Sequence, residues 1–273
     1  MRATAPSLVT ALFTALATLT TFAAAPAHAA ERWIDRPMTL HRYVFAGDVG
    51  LGVGHLGIDR PDVGFTGPGM NFEAAFGVTE KLELGIRTGV RFGNDGRTVQ
   101  ADYYARPFSI DTYGTGTDTG VNPELRGKYV VYSGSVAEIG LEGRMYLPAE
   151  HNTDFGIMLG VPLAFHVTDW LRIDTGLNIP IIFSNSTYSA FSIPGYFWFQ
   201  ATEKLWAGPM VALRFINPPG DGGYDAHLAL GAGVGYQVAS AVDLKAWFLF
   251  PYIDQSNEHY FGAGLGVQFR LNE

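Results

Sequence analysis

One stretch in the first half of the chain decides the fold: residues 82–92, LELGIRTGVRF. Its even-numbered positions carry apolar or neutral side chains, and its odd-numbered positions carry glycine or charge. Successive side chains of a β-strand point to opposite faces, so a period of two indicates a strand whose faces meet different surroundings. We therefore predict a β-strand with one apolar face and one polar face.

The same period recurs in other parts of the chain, most clearly in residues 137–147, 154–166, 170–184 and 241–253. These predicted strands have about 10 to 14 residues, whereas strands of globular domains have about five or six. A tilted strand of roughly 10 residues is long enough to cross the hydrocarbon core of a bilayer. We therefore expect the apolar face to contact lipid and the polar face to line an interior.

The composition agrees with a surface that does not face water everywhere. Only 16% of the 273 residues are charged, compared with about 25% in a typical soluble domain. The net charge of -8 argues against a nucleic-acid partner, which requires clustered cations. The absence of cysteine excludes disulfides and thiolate metal sites. No metal-binding, phosphate-loop or dinucleotide motif stands out, so we predict no metal and no cofactor.

The first 29 residues have the pattern of a signal peptide. Arg2 precedes an apolar stretch that runs from Leu8 to Ala25, and the small residues of Ala27-His28-Ala29 form a cleavage site. An uncleaved membrane anchor is the alternative, but no basic cluster follows the stretch. We therefore predict a signal peptide at 1–29, a periplasmic N-terminal segment at 30–40 and a membrane domain at 41–271.

Tight turns separate the predicted strands. Four junctions combine Thr or Ser with an acidic residue, at residues 77–85, 166–173, 200–205 and 237–244. Side chains of this kind can accept hydrogen bonds from nearby backbone N–H groups. Short turns on one side and longer connections on the other are typical of bacterial membrane barrels, and the longer connections here are 56–68, 94–122, 148–153, 185–189, 218–223 and 254–258.

The fold class that follows is all-β: a single closed antiparallel transmembrane barrel of about twelve strands. Closure is required because an unpaired backbone group in hydrocarbon costs several kcal/mol. Ten or fourteen strands stay open, since the 94–122 connection could contain another hairpin. An even number places both termini on the periplasmic side. The predicted strands are 41–55, 69–78, 82–93, 123–132, 136–147, 154–166, 170–184, 190–200, 204–217, 224–238, 241–253 and 259–271.

Two motifs resemble known barrels. The junction GVTEKLELG at residues 77–85 is similar to an element of the transporter-like barrels of the phenol-degradation-pathway outer-membrane group. The GLGVQF of residues 264–269 is similar to the signal read by the barrel-assembly machinery, although RLNE follows it. The mature chain thus resembles the Gram-negative outer-membrane β-barrel superfamily. The resemblance implies an outer-membrane location, lipid and the assembly machinery as partners, and transport of small, including hydrophobic, solutes.

The strand period also assigns many charged side chains to the interior. They are either the wall of a pore that orients or selects a solute, or a network of ion pairs that fills a narrow barrel, because buried charges need partners. Arg270 belongs to the same face. The candidate lumen-lining residues are Asp48, Glu73, Glu83, Arg87, Arg91, Glu124, Arg126, Lys128, Glu138, Glu142, Arg144, Arg172, Asp174, Arg214, Asp243 and Lys245.

The rest of the predicted interior is rich in glycine. Inward glycines on the first, tenth and last strands indicate tight curvature or a narrow passage beside the charged wall: Gly50, Gly52, Gly54, Gly231, Gly233, Gly235, Gly262, Gly264 and Gly266. Aromatic residues near strand ends are typical of belts at the membrane interfaces: Trp170, Phe197, Trp198, Phe199, Trp206, Trp247, Phe250 and Tyr252.

Three functions fit these features. The first is a channel for passive or facilitated diffusion of small solutes. The second is a closed structural or surface-binding barrel that acts through its loops, among them the aromatic-containing 94–122. The third is a hydrolase at the rim, where Asp225 and His227 share a face near Asp221 and an Asp–His pair can activate water. No second acid pair or Ser–His motif stands out, so we predict no catalytic residues. The sequence leaves the oligomeric state open.

Overall fold

The computed structural model describes residues 31–59, 62–91, 120–149, 154–183, 188–217, 223, 225–250, 253 and 258–272. The predicted signal peptide lies outside these residues. A 3-10 turn, η1 (Trp33–Asp35), precedes the strands. The strands are β1 (Phe45–Asp59), β2 (Asp62–Thr79), β3 (Leu82–Arg91), β4 (Gly120–Ser133), β5 (Ala137–Tyr146), β6 (Gly156–Thr168), β7 (Leu171–Ile182), β8 (Tyr188–Gln200), β9 (Leu205–Asn217), β10 (Asp225–Ala239), β11 (Val242–Phe250) and β12 (Glu258–Leu271).

The twelve strands form one closed antiparallel barrel. Each strand pairs with its neighbours in sequence, and β1 pairs with β12 to complete the ring. The closing ladder runs from Phe45 opposite Leu271 to Ile58 opposite Glu258. The predicted fold class and the count of twelve are therefore confirmed. Among the residues described, no helix is long and apolar enough to span a membrane.

The two faces of each strand differ as the period predicted. On β5 the exposed positions include Ile139 and Leu141, whereas Glu138, Glu142 and Arg144 are buried. Exposed apolar side chains and buried charges are the reverse of a water-soluble protein. The arrangement is that of a barrel with lipid outside and a polar interior.

The first hairpin differs from the prediction. The sequence predicts that residues 56–68 form one of the longer connections. Instead β1 continues to Asp59, which lies opposite Asp62, so pairing extends to the tip of the hairpin. The alternation of apolar residues with glycine in 56–58 and 63–65 was sufficient to extend the ladder. The first strand also begins later than predicted, at Phe45 rather than at residue 41.

Five short turns, which join β2 to β3, β4 to β5, β6 to β7, β8 to β9 and β10 to β11, lie at one end of the barrel, which we call the short-turn end. In three of them a threonine hydroxyl accepts backbone hydrogen bonds from the residues that follow. Thr79 accepts from Lys81 and Leu82, and Thr168 accepts from Trp170. Thr202 accepts from Lys204 and Leu205. The capping role predicted for these side chains is confirmed.

Substitution Thr202→Ala should destabilise the barrel by about 0.5–1.5 kcal/mol. Its Oγ1 lies 3.3 Å from the backbone N of Lys204 and 3.1 Å from that of Leu205, and alanine offers neither N–H an acceptor. Urea unfolding in detergent micelles measures the change. Thr202→Ser keeps the hydroxyl and should remain close to the parent; equal losses in both variants would show that the hydroxyl contributes little.

Candidate functional site

The structure describes the side chains of fifteen of the sixteen predicted lumen residues, and all fifteen are buried or partly buried. Twelve of the sixteen have buried side chains: Glu83, Arg87, Glu124, Arg126, Lys128, Glu138, Glu142, Arg144, Arg172, Asp174, Asp243 and Lys245. Asp48, Glu73 and Arg214 are partly exposed, and the side chain of Arg91 lies outside the described part of the structure. Most of the buried set lies on β3 to β7, and we call those residues the charged wall. Contact with a solute remains a prediction for all sixteen.

Ion pairs link β2, β3 and β4. The guanidinium of Arg126 lies 2.8 Å from a carboxylate oxygen of Glu73 and 3.0 Å from one of Glu83. The ammonium of Lys128 lies 3.8 Å from the same Glu83. Opposite charges therefore meet across neighbouring strands, as is required of charges removed from bulk water.

The pairing continues along the wall. Arg144 Nε donates to Glu142 at 2.8 Å, and its Nη1 lies 3.2 Å from Glu124. Arg172 Nε donates to Asp174 at 2.7 Å. Each of these side chains is at most 8% exposed. The charged wall is thus a network of ion pairs in which acids and bases alternate.

The segment that precedes β1 lies inside the short-turn end. We call residues 31–42 the N-terminal plug. The backbone N–H of Met38 donates to Glu138 on β5 at 2.7 Å, and that of Leu40 donates to Glu83 on β3 at 3.0 Å. The carbonyl oxygen of Met38 accepts a hydrogen bond from Lys128 on β4. Charges that the sequence assigned either to a pore wall or to an ion-pair network are therefore bound here to the chain's own backbone.

The plug also contacts the opposite side of the barrel. Arg36 forms a two-point ion pair with Asp243 on β11, at 2.6 and 3.1 Å, and its carbonyl oxygen accepts from Arg172 on β7. Arg270 on β12 lies 3.4 Å from the same Asp243. Together with the contacts on β3 to β5, these bonds extend across the cross-section of the barrel.

An aromatic cluster holds the first residues of the plug. The indole of Trp33 stacks on Trp206 with ring centroids 4.9 Å apart and an angle of 1° between the planes. Trp198 meets Trp33 edge-on at 6.0 Å. The guanidinium of Arg36 lies 5.1 Å from the Trp33 ring centre, within the range of a cation–π contact. Within the plug, the guanidinium of Arg32 donates a hydrogen bond to the carboxylate of Asp35 at 2.7 Å, and this hydrogen bond raises the pKa of Arg32.

The interfacial belt predicted for the tryptophans is wrong at three positions. Trp198, Trp206 and Trp247 are buried in the interior, whereas Trp170 is 53% exposed. The strand period already carried this information, because Trp247 is two residues from Lys245, on the same face. The distance of a tryptophan from the end of its strand predicted its location less well than the strand period did.

The buried indoles lie over the inward glycines. A Cβ placed on Gly50 would lie 3.2 Å from Trp247, and one on Gly233 would lie 3.1 Å from Trp198. Gly235 and Gly264 are in still closer contact with Trp206 and Trp247. Because glycine has no side chain, the indole rings can lie directly against the backbone of these strands. The indoles therefore occupy the space beside these glycines that was predicted for a passage.

Substitution Gly235→Ala should destabilise the barrel by about 1–3 kcal/mol, the usual range for overpacking. Its methyl group would overlap the ring of Trp206, which the plug residue Trp33 holds in place. The matched control is Gly143→Ala, because no atom lies within 4 Å of a Cβ placed there. Urea midpoints compare the two, and an equal effect at both positions would contradict the close contact.

The remaining candidates do not assemble a further site in the described residues. Asp225 is exposed on β10, and His227 lies opposite Arg214 of β9. Asp221 and nearly all of the 94–122 connection lie outside the described part of the structure. The described residues contain no group of three or more His, Asp or Glu side chains arranged to hold a metal. The absence of catalytic residues and cofactors stays a prediction.

No family model matches the chain, and no curated protein matches it in sequence. Solved structures match it in fold. The COG4313 outer membrane channel from Pseudomonas putida F1 is 10% identical, with a TM-score of 0.62 over 90% of this chain and 99% of that one. The NanC porin is 8% identical, with a TM-score of 0.57 over 82% of this chain and 100% of that one.

A third match is the translocator domain of the autotransporter NalP from Neisseria meningitidis, 9% identical with a TM-score of 0.52 over 96% of each chain. At these identities the likeness is one of fold. The fold is shared by channels, porins and a translocator domain, so the function has to be argued from the interior. The resemblance to outer-membrane β-barrels is confirmed: this chain has the fold of the outer-membrane β-barrel channels.

Proposed function

We propose that this chain is an outer-membrane channel through which small solutes diffuse, and that it is not an enzyme. The observation that carries the proposal is the closed barrel with apolar side chains outside and the charged wall inside. In a barrel embedded in lipid, a polar interior is suited to contact with water or with a solute that enters it. The fold shared with a channel and a porin supports the same function.

The interior is also suited to solutes of either charge. Acidic and basic side chains alternate along the wall, as in the group Glu73, Arg126, Glu83 and Lys128. Fields from paired charges largely cancel at the distance of a passing ion. We therefore expect weak selectivity between small cations and anions.

Reconstitution into planar bilayers tests the proposal. The expected result is stepwise conductance with a reversal potential near zero in a KCl gradient. Substitution Arg87→Gln removes a buried cation on β3 and should move the reversal potential toward cation selectivity. Lys81→Gln, which removes an exposed cation from the turn before β3, should move it less.

One specific observation favours a second function. The ion pairs of the wall and the plug at the short-turn end also fit a closed barrel that acts through its loops. A folded chain that carries no ion or solute in bilayers or in liposome swelling, with or without residues 31–42, would support that function and contradict the channel.

A further inference from the structure

The N-terminal plug is held by hydrogen bonds, ion pairs, aromatic contacts and buried apolar side chains, and not by strand pairing. It contains only one turn of 3-10 helix, and it adds no strand to the sheet. Most of its bonds to the barrel run to side chains on β3, β4, β5, β7, β8 and β11, and one runs to the backbone carbonyl of Glu80 in the turn between β2 and β3. Side-chain contacts of this kind can be broken without opening a backbone ladder of the barrel.

The point where the plug joins the barrel has an unusual backbone. Tyr43 has φ of 68°, in the left-handed region that residues with a Cβ rarely adopt. Its N–H donates to Gly77 O at 2.7 Å, and Val44 N–H donates to His41 O at 3.1 Å. The chain therefore turns sharply from the plug into β1 at one residue whose docked conformation is strained.

The cross-strand contacts leave limited room beside the plug. A narrow cleft lies between the plug and strands β1 to β4 and β12, and its lining includes Leu40, Asp48, Glu73, Arg126 and Gln268. Away from this cleft, Met38, Trp33 and Ile34 are buried against inward side chains of the barrel. A second narrow cleft borders the plug, and its lining includes Arg36, Glu83 and Arg270. A solute that crosses the short-turn end must pass through such a cleft or displace the plug.

We propose that residues 31–42 are a gate that swings about Tyr43, closing the short-turn end when docked and opening it when released. This inference rests on the proposed channel function. The docked state is the one in the structure, in which Arg36 is paired with Asp243 and Trp33 is stacked on Trp206. The released state requires those contacts to break while β1 stays paired with β2 and β12.

A reversible cross-link in the full chain tests the gate. The chain has no cysteine, so only introduced thiols react. Met38→Cys with Gly140→Cys places two thiols close together, because a Cβ on Gly140 would lie 2.8 Å from the Met38 sulfur. We expect the oxidised protein to remain closed in planar bilayers, and the reduced protein to open for about 0.1–10% of the time, as a minor conformer does.

A variant that lacks residues 31–41 completes the set and should conduct continuously. Heat-modifiable migration on SDS gels checks that each variant is folded. Equal conductance before and after reduction would overturn the gate while the channel stands, because solute would then pass beside the plug. A reduced protein that stays closed while the deletion conducts would overturn the swinging motion. A folded deletion that stays closed would overturn the channel itself.

A labelling measurement tests the motion without relying on conductance. Ile34→Cys introduces a thiol at a position that is 2% exposed in the docked plug, and Tyr43→Cys introduces one at a position that is 55% exposed. A polar maleimide should modify position 34 slowly but completely, at roughly 0.1–10% of the rate at position 43. Complete protection of position 34 in the folded protein would overturn the gate.

Discussion

Substitution Arg144→Met should destabilise the barrel by about 3–5 kcal/mol, the usual cost of breaking a buried ion pair from one side. The Arg144 side chain is fully buried between Glu124 and Glu142, and its removal leaves two carboxylates close together without this cation. Reversible urea unfolding in lipid vesicles or micelles measures the loss. It is the largest single-residue effect that we expect in the wall.

Two further variants locate the cause. Arg32→Ala removes an arginine from an exposed pair with Asp35 and should cost less than about 1 kcal/mol. Combining Arg144→Met with Glu124→Gln and Glu142→Gln removes the two carboxylate charges that faced Arg144 and should recover much of the stability. A cost below about 1 kcal/mol for Arg144→Met alone would mean that water solvates the carboxylates, so the interior at this level would be wide and wet.

Substitution Asp243→Asn should release the plug. Asp243 holds Arg36 at two points and lies 3.4 Å from Arg270, and its side chain is 1% exposed. Removing its charge should weaken the docked state by about 2 kcal/mol, which raises the ratio of released to docked protein roughly 30-fold. Open probability in bilayers and maleimide labelling of Ile34→Cys should rise together.

The matched control is Asp169→Asn, at an exposed turn between β6 and β7. It removes the same charge at the same end of the barrel but does not hold Arg36. Equal responses to the two substitutions would contradict a specific role of the Arg36–Asp243 ion pair in holding the plug. A rise in labelling without a rise in open probability would keep the motion and reject its control of conduction.

The sequence predicts the barrel well because one physical condition acts on nearly every strand. Lipid outside and a polar interior impose a period of two, so residues 82–92 already contain the pattern that the other strands repeat. Closure follows from the cost of unpaired backbone in hydrocarbon. The hairpin between β1 and β2 was shortened in the prediction because glycine-rich strands and loops have similar compositions.

The plug could not be predicted in the same way. Residues 31–42 have no period, and the contact between Arg36 and Asp243 joins positions 207 residues apart. Nothing local indicates that a two-point ion pair will form between them. The buried Trp206 was predictable in principle, because it lies on the same face of β9 as the inward Arg214. The expectation that aromatic residues near strand ends lie at the membrane interface was wrong for Trp206, whereas the alternation of inward and outward positions along the strand places it correctly.

The location of the plug also has a consequence for the order of folding. Its residues leave the ribosome before any strand, yet their partners Trp206 and Asp243 lie on β9 and β11. Contacts between positions so far apart form slowly, since the chain between them must first be ordered. Residues 31–42 are therefore expected to reach their place after the strands have paired. An incompletely assembled barrel would lack the surface to which the plug binds. Docking of the plug therefore indicates that the barrel is completely assembled.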